Sequence, residues 1–287
     1  MVKEVLVVLV FKIKSRLFLG GFYFLTIYKK KNMKIAICAI IKDEQRYLEE
    51  WLQYHFKLGF DEIYLYEDLE STSHKEICDK YENVFLDKIE NHFQTDRINI
   101  RRQRELYELF IEKYKDSFDW VAFIDIDEFI MTENNLDLKT ILNEYNDAKG
   151  LYLFWKMYNA NDLIEPNETY SVLENYTNWF KTTDIDLNMV KSMYNFNQMP
   201  ELETHHRVKD GIKTDRTTNL EEPTYNKIWI NHYYTKSWAE WCVKIYCRGD
   251  VWFGHRHIFD FFRINPDMKE KIPELLSKMG SLVRKYK

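Results

Sequence analysis

Three stretches of the chain hold side chains whose types and spacing suit chemistry. The first is residues 119–131 (DWVAFIDIDEFIM), where an apolar run of strand length ends in Asp125, Asp127 and Glu128. Burying a carboxylate without a partner is costly, so packing alone gives no reason for two acids one residue apart. If the strand breaks into a turn between them, both converge on one ion. Hard divalent cations such as Mg²⁺ or Mn²⁺ prefer oxygen ligands of this kind and share them with substrate phosphates. The second is residues 230–250 (INHYYTKSWAEWCVKIYCRGD), in which His232, Lys236, Lys244 and Arg248 surround a predicted helix start. Helix N-termini attract phosphate, so a cation-rich entry complements a diphosphate, and His232 is placed to complete a metal shell. The third is residues 201–207 (ELETHHR), whose adjacent His205 and His206 point in different directions, so at most one enters a site.

Blander readings compete with each. The acids read equally as solvated loop carboxylates, but an apolar strand running straight into D-x-D-E favours a ligand site. His232 alone reads as a core histidine; beside the acids the two readings balance. Glu128 is either a supporting group behind the acids or a solvated loop acid. His255 and His257 lack companions for a metal set and read as structural, and Trp155, Trp179, Trp238 and Trp241 read as core.

The elements that must position these groups follow from periodicity. Residues 34–41 (KIAICAII) form an apolar run suited to a strand buried on both faces. Asp43 is placed to cap the next helix, whose Tyr47, Leu48, Trp51, Leu52, His55 and Leu58 keep helical spacing before Gly59. A strand at 62–66 completes a β-α-β unit, which implies parallel strands. Strands at 83–86 and 120–124 follow, separated by a helix over 98–114. The alternation predicts an α/β sheet flanked by helices, with ligands beyond the carboxyl ends of the strands. The acidic cluster lies at such an end, as do Lys42, Asp43 and Glu44 after the first strand and Glu67 and Asp68 after the second. Residues 152–155 and 227–234 read as further strands. Ser237-Trp238-Ala239-Glu240 is a capping box that starts a helix, and Gly249 ends it.

Composition narrows the rest. A net charge of -5 argues against a dedicated nucleic-acid binder, and only 8 Gly and 5 Pro leave no flexible linker. Cys38, Cys78, Cys242 and Cys247 form no C-x-x-C pair, which suits a reduced, cytoplasmic setting. Residues 1–32 hold two apolar runs, 5–11 and 17–28, interrupted by Lys12, Lys14 and Arg16. Neither run reaches the roughly 20 residues that span a bilayer. A membrane-surface helix is one reading; an appended segment upstream of a natural start at Met33 is the favoured one.

Three motifs in order carry a resemblance: AIIKDEQRYLEEWLQYHFKLGFDEIYLYED, QRELYELFIEKYKDSFDWVAFIDIDEF and INHYYTKSWAEWCVKIYCRG. Together they resemble the GT-A glycosyltransferases, and among them the bacterial relatives of glycosyltransferase families 2 and 92. The resemblance implies a GT-A domain over residues 33–265, Rossmann-like in its first half with a mixed, mainly parallel sheet. A C-terminal acceptor-side region follows, and residues 266–287 form a terminal helix. It also implies a nucleoside-diphosphate sugar donor (a UDP-sugar foremost), Mn²⁺ or Mg²⁺, and a glycan or glycolipid acceptor. By position, Asp125 and Asp127 match the D-x-D that holds metal, ribose and diphosphate, with His232 as a third metal ligand. Asp68 matches the acid that contacts the nucleoside, and Lys42, Asp43 and Glu44 match the loop lining that pocket. Arg101, Gln103, Lys236 and Arg248 complete the donor set. Where relatives show Gly then Ser or Thr after that acid, this chain has Leu69-Glu70-Ser71. Glu201, Glu203 and Asp210 are candidates for the general base by location alone. The implied reaction is inverting transfer in surface polysaccharide synthesis, with room for peripheral contact at the inner membrane face. Two alternatives stand beside it: a haloacid dehalogenase-like phosphohydrolase, and a catalytically silent sugar-nucleotide-binding module.

Overall fold

The first strand, β1 (Ile35–Ile41), contains no charged side chain and is buried on both faces. Such a strand belongs in a sheet's interior, and β1 pairs in parallel with β2 (Glu62–Glu67) on one side and β4 (Trp120–Phe123) on the other. The computed structural model describes residues 33–68, 71–92, 100–181, 190–198, 212–213, 225–248 and 257–286. The expectations placed on residues 1–32, Glu201, Glu203, His205, His206, Asp210, Gly249 and His255 lie outside these.

Between β1 and β2 runs α1 (Gln45–Leu58), which buries Tyr47, Leu48, Trp51, Leu52 and His55 and ends at Gly59 with φ 115°. That left-handed conformation favours glycine, and it closes the helix as expected. A short α2 (Lys75–Cys78) leads to β3 (Val84–Lys88), and α3 (Ile100–Tyr114) leads to β4. Alternation along β1 divides the core. Ile35, Ile37, Ala39 and Ile41 join the cluster under α1, whereas Ala36 and Cys38 join Leu106, Tyr107 and Phe110 of α3 on the opposite face.

After β4 the chain leaves the sheet's middle. β5 (Glu128–Thr132) and α4 (Leu138–Asn143) follow, then β6 (Gly150–Met157) and α5 (Val172–Asn175). Next come β7 (Val190–Asn195), β8 (Ile212–Lys213) and β9 (Ile228–His232). The strand order is β3-β2-β1-β4-β7-β6-β9-β5, with β8 beside β6. β4–β7, β7–β6 and β9–β5 are antiparallel and the remaining pairs parallel, so the sheet is mixed and mainly parallel, as expected. The acidic stretch therefore does not prolong one strand. It is the turn at which the chain passes from β4, mid-sheet, to β5 at the far edge.

The capping box forms as read: Ser237 and Glu240 start α6 (Trp238–Val243), which widens into a π-turn over Lys244–Arg248. Beyond it, α7 (Phe261–Ile264) and α8 (Ile272–Tyr286) pack Phe261, Leu275 and Leu282 against Trp238 and Trp241. The Trp238 indole N–H donates to the Leu275 carbonyl at 3.0 Å. Trp238 and Trp241 are core, but Trp155 is only half-buried and Trp179 is exposed. Among the described residues no helix is long and apolar enough to cross a membrane.

Candidate donor and metal site

The turn after β4 is built by its own acids. The Glu128 N–H donates to the Asp125 carbonyl at 3.1 Å, and the Asp125 N–H donates to Glu128 Oε2 at 2.9 Å. Glu128 is not a solvated loop acid: its side chain is wholly buried at the start of β5. Burial pushes its carboxyl well above the ordinary range, Asp125 and Asp127 add to the effect, and Lys191 opposes it. Lys191, on β7, is buried with its ammonium 2.7 Å from Asp125 Oδ2 and 3.7 Å from Glu128 Oε2. Burial disfavours that ammonium, yet Asp125 and Glu128 together hold its pKa above the usual lysine value. Sequence reading missed Lys191. Its only signal was a lone cation inside a strand-length segment, VKSMYN, and its partners arrive through the β4–β7 register.

The antiparallel β5–β9 pairing sets His232 opposite Glu128 and brings the Tyr233 N–H to the Asp127 carbonyl at 2.9 Å. The two oxygens of Asp127 then face different groups. Oδ1 lies 3.5 Å from His232 Nε2, and Oδ2 accepts from Lys244 Nζ at 2.9 Å. Burial pushes the Asp127 carboxyl up, but Lys244, His232 and Lys236 outweigh it and hold it well below the usual carboxylate range. Burial lowers the His232 pKa despite the pull of Asp127, so the ring is neutral at pH 7.

A divalent cation suits this donor set. A carboxylate oxygen and a neutral ring nitrogen face one another across a gap too wide for a good hydrogen bond. Behind the ring, His232 Nδ1 and Glu128 Oε1 are buried without hydrogen-bond partners, 4.0 Å apart. Metal-ligating histidines carry a carboxylate or carbonyl on that second nitrogen, and Glu128 Oε1 faces it from just beyond hydrogen-bond reach. Among the described residues no three His, Cys, Asp or Glu side chains make a self-sufficient centre. These residues would suit a hard cation that takes its remaining ligands from phosphate and water.

The carboxyl ends of β1 and β2 supply the second part of the site. Lys42 Nζ lies 3.3 Å from Asp68 Oδ2. Asp43 does not cap α1. It adopts φ 47°, its carboxylate accepts the Thr72 N–H at 2.8 Å, and its own N–H donates to Ser71 Oγ. The capping position falls to Glu44, which makes no side-chain cap; its N–H donates to His74 Nε2 at 3.0 Å. His74 in turn donates from Nδ1 to buried Glu67. Glu44 pairs with Lys236 Nζ at 3.5 Å in the wall of a cavity of about 100 Å³, lined further by Asp43, Tyr47, Glu240, Lys244 and Tyr286. Lys236 is the other left-handed non-glycine residue on this cavity, at φ 52°. Strained backbone of this kind persists where surrounding structure fixes it, and it concentrates at ligand sites. Glu240 accepts from the hydroxyls of Tyr47, Tyr176 and Ser237.

Not every residue of the expected donor set meets the others. Gln103 is buried and spends its amide on Tyr107 within α3. Arg101 lies in the first turns of α3 and Arg248 ends the π-turn, and both side chains lie outside the described atoms. His257 is exposed, away from any metal set.

The family model described as glycosyltransferase family 92 matches residues 31–265. The chain belongs to this family. Within family 92 it is 24% identical over 127 residues to a protein of Oryza sativa subsp. japonica, covering 42% of this chain and 20% of that one. It is 22% identical over 226 residues to one of Ricinus communis, covering 76% and 38%. The chain thus spans well under half the length of these family 92 relatives. Among solved structures, glucosyl-3-phosphoglycerate synthase from Mycobacterium tuberculosis, in complex with Mn²⁺, UDP and phosphoglyceric acid, overlaps at a TM-score of 0.31 with 16% identity over 44% of each chain. HddC from Yersinia pseudotuberculosis overlaps at 0.31 with 8% identity over 70% of this chain and 90% of that one.

Proposed function

We propose that the site transfers a sugar from a nucleoside diphosphate sugar, a UDP-sugar foremost, to a glycan or glycolipid acceptor. The observation that carries this reading is the Asp127–His232 pair, two metal-type donors facing each other at 3.5 Å beside the carboxyl ends of β1, β2 and β4. Family membership favours transfer over the phosphohydrolase alternative.

Asp127 and His232 would hold Mn²⁺ or Mg²⁺, with Asp125 beside them. When bound there, the cation neutralises charge gathering on the leaving diphosphate. Lys42, Asp43, Glu44 and Asp68 receive the nucleoside, and Asp125 receives the ribose. Lys236, buried against Glu44 and the Tyr47 ring, faces the diphosphate across the cavity. Glu128 and Lys191 fix the turn from behind through their contacts with Asp125. A carboxylate among Glu201, Glu203 and Asp210 takes the acceptor hydroxyl's proton. The reaction is a single inverting displacement through an oxocarbenium-like transition state. Surface polysaccharide synthesis, with the enzyme at or near a membrane face, is the setting this chemistry suits.

A thermal-shift panel of nucleotide sugars with and without Mn²⁺ tests the reading. One donor should raise the melting temperature only with metal, since a ligand at 100 times its Kd adds about 2.7 kcal/mol. Asp127→Asn keeps a Lys244 acceptor and should retain the fold while losing transfer. No stabilisation by any nucleotide sugar, or near-normal turnover in that variant, would sink the assignment. Metal-dependent donor binding without turnover would instead identify the silent module.

A further inference from the structure

Two lysines neutralise the D-x-D acids, and they differ in surroundings. Lys191 is enclosed between Asp125 and Glu128. Lys244 lines the cavity, at the start of the π-turn that follows α6. Its ammonium donates to Asp127 Oδ2 and to the Tyr234 carbonyl, both at 2.9 Å. Oδ1 of the same carboxylate is the oxygen that faces His232.

We propose that Lys244 is a ligand of the donor's diphosphate that shares Asp127 with the bound cation. The proposal rests on the donor-site reading above. An ammonium on Oδ2 reduces the attraction of Asp127 for a second cation at Oδ1, because the two positive charges repel across one carboxylate. A diphosphate carrying several negative charges reverses that balance, since it takes charge-assisted hydrogen bonds from the ammonium and ligates the metal at once. Lys244 therefore opposes the metal alone and favours the metal with nucleotide. A lysine that merely supported the fold would affect both in the same direction.

The test uses the full chain, with Mn²⁺ and UDP as probes. Mn²⁺ alone is titrated by the electron paramagnetic resonance signal of the free ion, and UDP by calorimetry at saturating Mn²⁺. Lys244→Met should bind Mn²⁺ alone about 3–10-fold more tightly, and UDP with Mn²⁺ about tenfold more weakly, a 1.4 kcal/mol loss. Lys244→Gln should show the same opposed shifts. Its amide still donates to Asp127 Oδ2, so it decides the matter if the methionine variant fails to melt cooperatively. Shifts in the same direction, or no shift in either affinity, overturn the proposal while leaving the donor site standing. If the unaltered protein fails to bind UDP with Mn²⁺, the donor-site reading falls and this proposal with it.

Discussion

The two ends of the site are held in different ways. At the carboxyl ends of β1 and β2, polar groups close on one another through hydrogen bonds from backbone N–H groups: Asp43 to Ser71, Thr72 to Asp43, Glu44 to His74, and His74 to Glu67. At the turn after β4, charged side chains face each other, Asp127, Glu128 and Lys191 buried among them, and Glu128 Oε1 and His232 Nδ1 have no hydrogen-bond partner. Buried polar atoms are nearly always satisfied, so orphans beside three acids mark the end where stability has been given up for chemistry. Under the proposed function, the first end would hold the donor and the second would act on it.

That contrast is easiest to break at Lys191. Removing one partner of a buried ion pair leaves a charge uncompensated, and Asp125 is partly exposed, so Lys191→Met should cost about 3 kcal/mol by chemical denaturation, the lower end for such a pair. A cost below 1 kcal/mol would mean that the turn is no more strained than the scaffold end. Next in size is a pH effect on the helix joining the two ends. His55 on α1 donates from Nδ1 to the Trp51 carbonyl at 2.9 Å and accepts the Ile130 N–H of β5 at Nε2. Burial depresses its pKa to about 3, so its contribution is complete above the unfolded value and is lost as pH falls through it toward the folded one. Between pH 7 and 4.5 the loss should be about 2–3 kcal/mol, at 1.36 kcal/mol per unit. His55→Gln should flatten that slope; an unchanged slope would assign it to other groups. The smallest effect belongs to Lys42→Ala. A partly exposed pair with Asp68 contributes about 0–1 kcal/mol, so stability should hold while the donor's KM rises. A large fall in stability would show that this end too depends on its charges.

Much of this was legible in the sequence because it is local. The β-α-β unit, the Gly59 stop and the Ser237–Glu240 capping box each depend on neighbours a few residues away. Asp127 and His232 stand out in the sequence by residue type, and the β5–β9 register brings them side by side. Lys191 was invisible because its meaning lies in strand pairing, which no local pattern encodes. Asp43 was misread for a related reason. A cap residue takes extended backbone angles, whereas Asp43 turns left-handed to reach Thr72, a partner supplied by a distant loop. Glu128 stays ambiguous in sequence because strand periodicity cannot tell a solvated acid from one folded under its own turn.

Glu240 has a consequence for how such sequences can change over time. Its carboxylate starts α6 and also takes hydroxyls from Tyr47 on α1 and Tyr176 just past α5. Three distant segments thus share one acceptor. Replacing either tyrosine alone leaves part of a carboxylate unsatisfied, and replacing the glutamate alone strands two hydroxyls. Substitutions at these three positions should therefore be inherited together.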